Sequence, residues 1–240
     1  MTNARSNKIT VNWPQAFSEV SLLLAGVLLA LAAQAWWEAR AERETSLEHI
    51  NNLIIELDAN ASGLTDSLAK HEGYIEVSVA ILRGAKGPLS DAARETLLQR
   101  ISRFSYISDY RPATAALDNL VGAGGLGQFD NASLQLAVSS YSQAIQNHNV
   151  LQSELTDFFF HELVPYLSEH IPLLSIHFVS GIPEPVPTSR FDLDLTALTE
   201  SMPFENLVLR RISAEFDAKT TANRLLTATQ ELRQRLEQAR

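Results

Sequence analysis

Six histidines (His49, His71, His148, His161, His170 and His177) are the residues of this chain best suited to acid–base or metal chemistry. Carboxylate-bridged di-iron bundles place Glu-x-x-His on facing helices, because positions i and i+3 share a helix face. No glutamate here has a histidine three positions on, and His-Glu-x-x-His is absent too. His161-Glu162 and Glu169-His170 come nearest to a ligand set, but Pro165 lies between them and breaks any shared helical geometry. The histidines therefore read as satisfied or exposed polar residues, and no metal is expected. Cysteine is missing altogether, which removes disulfides, thiolate sites and Cys nucleophiles. There is no Gly-x-Ser-x-Gly elbow and no kinase signature. Asp192 and Asp194 read as a solvated turn before an acid/base pair. Gly122-Ala123-Gly124-Gly125-Leu126-Gly127 invites a phosphate-loop reading, yet Gln128-Phe129 stand where Lys and Ser/Thr are needed. A helix end and turn explains those glycines better. No cofactor is implied and no catalytic residue can be named, so the chain is expected to be non-enzymatic.

The elements that would carry any chemistry begin with an apolar run. From Val20 to Trp37 no side chain is charged. Eighteen helical residues span about 27 Å, close to the hydrocarbon thickness of a bilayer. Trp13 and Phe17 precede the run and Trp36 and Trp37 close it, as aromatic rings do at the two interfaces of a membrane. A buried core helix would carry more of a polar stripe than Ser21 and Gln34. A cleaved signal peptide is the stronger competitor, since Ala33-Gln34-Ala35 resembles an A-x-A site. The segment before the run holds Glu19, and two tryptophans would follow the cut, so an uncleaved transmembrane helix is the preferred reading. Within it, Gly26, Ala30, Ala33 and Gln34 make a face against which a second helix could pack closely.

The domain division that follows is a short N-terminal segment (1–19), the span (20–37) and an acidic body (38–240). The whole chain carries −9 and the first 37 residues hold only Arg5, Lys8 and Glu19, which leaves −10 on the body. Such a surface excludes nucleic acid as an electrostatic partner. Arg5 and Lys8 on one side against Arg40 and Arg43 on the other nearly tie the positive-inside count. A short leader and a large acidic body favour a cytoplasmic N-terminus and a periplasmic body at a bacterial inner membrane.

After the span, Leu47, Ile50, Ile54, Leu57, Ala61, Leu64 and Leu68 alternate spacings of 3 and 4, an a/d pattern on a continuing helix. Glu48, Asn51, Asn52, Glu56, Asp58, Asn60 and Asp66 make its wet face. Leu53 and Ile55 widen the stripe, favouring a bundle over a parallel dimer. The helix is expected to run to Leu82, interrupted or stressed near Gly73, and to stop at Gly84-Ala85-Lys86-Gly87-Pro88. Ser90 reads as the N-cap of a second helix, Thr114 as that of a short third, and Asn131 as the start of a long one carrying Leu134, Val138, Tyr141, Ile145 and His148 on one face. Phe158, Phe159 and Phe160 read as a core wall or as a surface against a partner or lipid headgroups, residues 181–189 as a proline-rich connector, and Met202-Pro203 as the lead into a last helix with Leu209, Ile212 and Phe216 on its apolar side. No strand-period segment appears, so the fold is expected to be all-α: a transmembrane helix continuing into a helical bundle.

Two stretches, Glu19 to Glu44 and Thr114 to Ile145, carry a family resemblance. The first reads EVSLLLAGVLLALAAQAWWEARAERE, a Glu-led span closing on a Trp-x-Glu-x-Arg-like segment; the second reads TAALDNLVGAGGLGQFDNASLQLAVSSYSQAI, with its Gly-Gly-Leu, Asn-x-x-Leu and Tyr. Together they resemble a family of uncharacterised bacterial single-pass membrane proteins, a domain of unknown function. That resemblance implies a helical extracytoplasmic domain on one span and brings no activity with it. The expected role is an accessory or assembly subunit packing against other membrane-protein subunits or against itself. A periplasmic ligand-binding, sensor-like bundle and a membrane-tethered hydrolase are the alternatives.

Overall fold

A computed structural model describes residues 13–84, 87, 89–122, 132–176, 187 and 189–238. The chain is all-α, with no strand among the described residues. They fall into two units divided between His49 and Ile50.

The first unit is the N-terminal part of α1 (Trp13–Gly84), a helix of 72 residues. From residue 22 to residue 38 every side chain is exposed. The helix is long and apolar enough to cross a membrane. Leu22, Leu23, Leu24, Leu28, Leu29 and Leu31 all face outward, and each leucine gains about 2 kcal/mol on leaving water.

The second unit is a bundle. Its long members are the C-terminal part of α1, α4 (Ala132–Phe158) and α7 (Met202–Gln238). Asn60 meets Tyr141 and His71 meets Gln152, so α1 and α4 run parallel. Asp58 pairs with Arg233, His71 with Glu215 and Glu72 with Lys219, so α7 returns antiparallel. Helix α2 (Asp91–Phe104) and the short α3 (Ala115–Gly122) accompany them. A π-helical turn (Phe159–Leu163) joins α4 to α5 (Val164–His170), and α6 (Leu195–Thr199) precedes α7.

Local chemistry explains most of the boundaries. Ser90 caps α2, its Oγ accepting the Ala93 N–H at 3.3 Å. Asp194, expected in a plain turn, caps α6 through the Ala197 N–H at 3.0 Å. Ser201 takes the Phe204 N–H, so Met202 and Pro203 form the first turn of α7 instead of preceding it. Thr114 does not cap α3 as expected: its hydroxyl donates to Asp118, and the Ala116 and Leu117 amides donate to the Glu56 carboxylate at 2.7 and 3.3 Å. A helix N-terminus is here closed by an acid from a different helix. The π turn sits one residue before Pro165, which has no N–H and whose ring crowds the carbonyl four residues back; Val164 donates instead to Phe159, five residues back. Gly73 does not interrupt α1, which runs through it to Gly84.

The buried seam of α1 is Ile50, Leu53, Leu57, Asn60, Leu64, Ser67, His71, Ser78 and Ile81. The 3–4 rhythm expected from sequence is present, but its seam shares only Ile50, Leu57 and Leu64 with the expected one, and Asn60 moves from the wet face into the core. On α7 the displacement is larger. Arg211 and Glu215 are fully buried, whereas Leu209 and Phe216, expected inside, are 58% and 60% exposed. Phe158 and Phe159 lie in the core and so do not form a partner surface; Phe160 alone of the three is exposed. The apolar core is consequently in two parts. One gathers Ile50 to Leu64 with Leu134 to Ile145 and Ala222 to Leu236. The other gathers Ile81, the α2 face, Phe158 to Ile176 and Leu193 to Val208. Between them in sequence, on all three long helices, stand polar residues.

Candidate functional site

The polar layer is built from α1 (Ser67, His71), α4 (His148, Gln152) and α7 (Arg211, Glu215), and five of the six have relative exposures of 0%, Ser67 being 1% exposed. Every one of these positions continues the 3–4 core spacing of its helix, which is why it points inward. Nδ1 of His71 donates to Glu215 Oε2. The other oxygen of Glu215 lies 2.5 Å from Arg211 Nη2. The Arg211 guanidinium is held between the rings of Tyr74 and Phe159, 5.3 and 5.6 Å from their centroids. Across the histidine, Nε2 faces Ser67 Oγ at 3.2 Å and Gln152 Nε2 at 3.3 Å. Burial pulls the Arg211 pKa below its ordinary value and the Glu215 carboxylate opposes it.

What these side chains do is visible in the segment between α2 and α3. Residues 106–114 are irregular and leave backbone groups that no ladder satisfies. Arg211 Nη2 donates to the Tyr106 carbonyl at 2.7 Å. His148 Nε2 donates to the Tyr110 carbonyl at 3.0 Å, which makes Nε2 the protonated nitrogen of that ring. Burial pushes the His148 pKa down, consistent with that neutral tautomer. One turn-level further along, Asn60 pairs with both backbone groups of Ala113, donating to its carbonyl at 2.8 Å and accepting its N–H at 2.9 Å. The second Asn60 amide hydrogen goes to Tyr141 at 2.9 Å, and Tyr110 donates its hydroxyl to Asn60 Oδ1 at 3.1 Å. Burial, the largest influence, pushes the Tyr141 phenol up to about 12. The polar core is therefore a set of brackets holding an extended segment along the bundle.

Several buried atoms remain without a hydrogen-bond partner: Arg211 Nε and Nη1, Gln152 Oε1, Glu215 Oε1, His148 Nδ1 and Asn149 Oδ1. Glu215 Oε1 appears among them although it faces Arg211 at ion-pair distance, because the approach is not aligned for a hydrogen bond. The surface grooves of this unit, one of about 460 Å³ beside Ile75, Val79, Arg83 and Arg100 among them, are lined by none of the six.

The residues singled out from sequence lie elsewhere. In the first unit, Gly26 has nothing within 4 Å of an added Cβ, and Ala30 and Ala33 are exposed. Gln34 donates to Glu38 at 2.9 Å on its own helix. Trp36 and Trp37 meet edge to face at 6.2 Å, with Arg40 5.9 Å from the Trp36 ring. Phe17 is exposed, and the Trp13 side chain lies outside the described residues. In the second unit, His161 and His170 each bond a carbonyl four residues back, at 3.1 and 2.8 Å, and Glu162 is engaged by Arg210, so this pair of motifs is not brought together. Among the described residues no three of His, Asp and Glu converge as metal ligands. His177, Gly124, Gly125, Gly127 and most of the 181–189 connector lie outside the described residues. Sequence reasoning missed Arg211 and Glu215; the signal was their 3–4 spacing from Ala218, Ala222 and Leu225. Compared with family models, curated proteins and solved structures, the chain finds no match.

Proposed function

We propose that the chain is a single-pass membrane protein of the bacterial inner membrane whose acidic helical body, on the periplasmic side, packs against another membrane-protein subunit. The observation that carries this reading is α1 itself. Between residues 22 and 38 it is apolar and fully exposed, a surface that water penalises and lipid does not. From Ile50 onward the same helix supplies the core of a bundle. Support for a partner comes from α7, where Met202, Leu209 and Phe216 stand seven residues apart and 72, 58 and 60% exposed. A stripe of that kind is spent on solvent only at a cost. The clustered Trp36, Trp37 and Arg40 suit a membrane interface.

Two measurements test it. Extraction from the native membrane in mild detergent, followed by native electrophoresis, is expected to give a defined assembly that Leu209→Gln with Phe216→Gln disrupts without lowering the thermal midpoint. A lone monomer, or an assembly indifferent to those substitutions, overturns the accessory role. Intact-mass measurement is expected to find the span retained in the membrane fraction. Mature protein beginning after Ala35 in the soluble fraction overturns the anchor.

A further inference from the structure

Among the acceptors of the polar layer that lack a hydrogen-bond donor (Gln152 Oε1, Glu215 Oε1 and His148 Nδ1), Gln152 Oε1 belongs to the amide whose nitrogen faces His71 Nε2. In the arrangement described, Nδ1–H of His71 is committed to Glu215, Nε2 offers a lone pair, and the Gln152 NH2 group donates to it. The ring is then neutral, and Glu215 balances Arg211. We propose that the layer is a proton-operated latch, in which uptake of one solvent proton at Nε2 of His71 turns the Gln152 carboxamide end for end. After the turn Oε1 accepts the new N–H, so the orphaned acceptor of one state is the partner required by the other. No bond beyond the N–H forms or breaks, and the formal charge of the layer rises by one.

The surroundings fix what that charge meets. From α1 come Ser67, within reach of Nε2, and Tyr74, whose ring lies against Arg211. From α4 comes His148, bound to the Tyr110 carbonyl with burial disfavouring its charged form. From α7 come Arg211 and Glu215. Arg103 of α2 acts on Tyr74 electrostatically. Glu215 is thus the one anion facing two cations in the protonated state. The load falls on the Arg211–Glu215 pair and, through Arg211 Nη2, on the Tyr106 carbonyl and the segment it holds. The latch stands independently of the membrane reading.

The test uses the full chain in detergent micelles, with histidine ring nitrogens labelled and followed by NMR from pH 8 to pH 5. The expected result is one buried ring passing from the Nδ1–H tautomer to the doubly protonated form, together with a change in the Gln152 side-chain amide signals. Gln152→Leu removes the acceptor and is expected to move that transition to more acidic pH; Gln152→Glu supplies a carboxylate and is expected to move it to more alkaline pH, each by about one pH unit or more. Movement of both variants in the same direction overturns the latch. So does a wild-type ring that stays in one form across the range, a readout that needs neither variant to fold.

Discussion

Gly63 shows how closely the extended segment approaches α1. A Cβ added there would press on the hydroxyl-bearing edge of the Tyr110 ring, nearer than real Cβ contacts come. Tyr110 cannot retreat without giving up its hydrogen bonds to Asn60, so Gly63→Ala is expected to lower stability by about 1–3 kcal/mol in urea unfolding. Gly73 and Gly84 face only the mobile ends of Arg103 and Arg100, and alanine at either should be far milder. The ion pairs divide in the same way. Glu215→Ala leaves Arg211 and His71 buried without their shared acceptor, and breaking such a pair costs about 3–5 kcal/mol. Lys219→Ala breaks a solvent-screened pair with Glu72 and should cost under about 1 kcal/mol. Comparing the two variants by denaturant midpoint separates a core network from surface decoration.

At the scale of elements, α3 depends on a foreign carboxylate. Glu56→Ala strips the cap from the Ala116 and Leu117 amides and is expected to cost about 1 kcal/mol, read as faster hydrogen exchange at those two amides. Helix positions were largely legible in the sequence because apolar spacing, Ser90 and Gly84 mark them well. Helix rotation was not. A seam is read by assuming that apolar residues point inward, and in the middle of this bundle Asn60, Ser67, His71, Gln152, Arg211 and Glu215 do so instead. Asn60 and Arg211 are held there by the backbone of residues 106–113, and Ser67, His71, Gln152 and Glu215 by one another and by Arg211, partners mostly far away in the chain that local periodicity does not register. Of the two readings open for Phe158, Phe159 and Phe160, core wall holds for the first two and only Phe160 is exposed, a division that three consecutive apolar residues cannot reveal in the sequence. His148 was placed correctly on its face, since apolar residues flank it at helical spacing.

For the whole molecule, stability should fall in alkaline solution for an identifiable reason. A tyrosine in the unfolded chain releases its proton near 10, while Tyr141 in the fold holds it to about 12. Its contribution is complete below pH 10 and is lost as pH rises through 12, amounting to about 3 kcal/mol. Burial raises Tyr74 and Tyr110 as well, which adds loss of the same sign. Tyr141→Phe is expected to flatten the alkaline limb of a stability–pH curve without removing it. The distance in sequence across the polar layer has a further outcome during synthesis. His71 and Glu215 are 144 positions apart. At roughly 5–20 residues per second a ribosome needs about 7–30 s to close that gap. Throughout that interval the inward face of α1, with His71 and Asn60 on it, waits for the helix that will cover it.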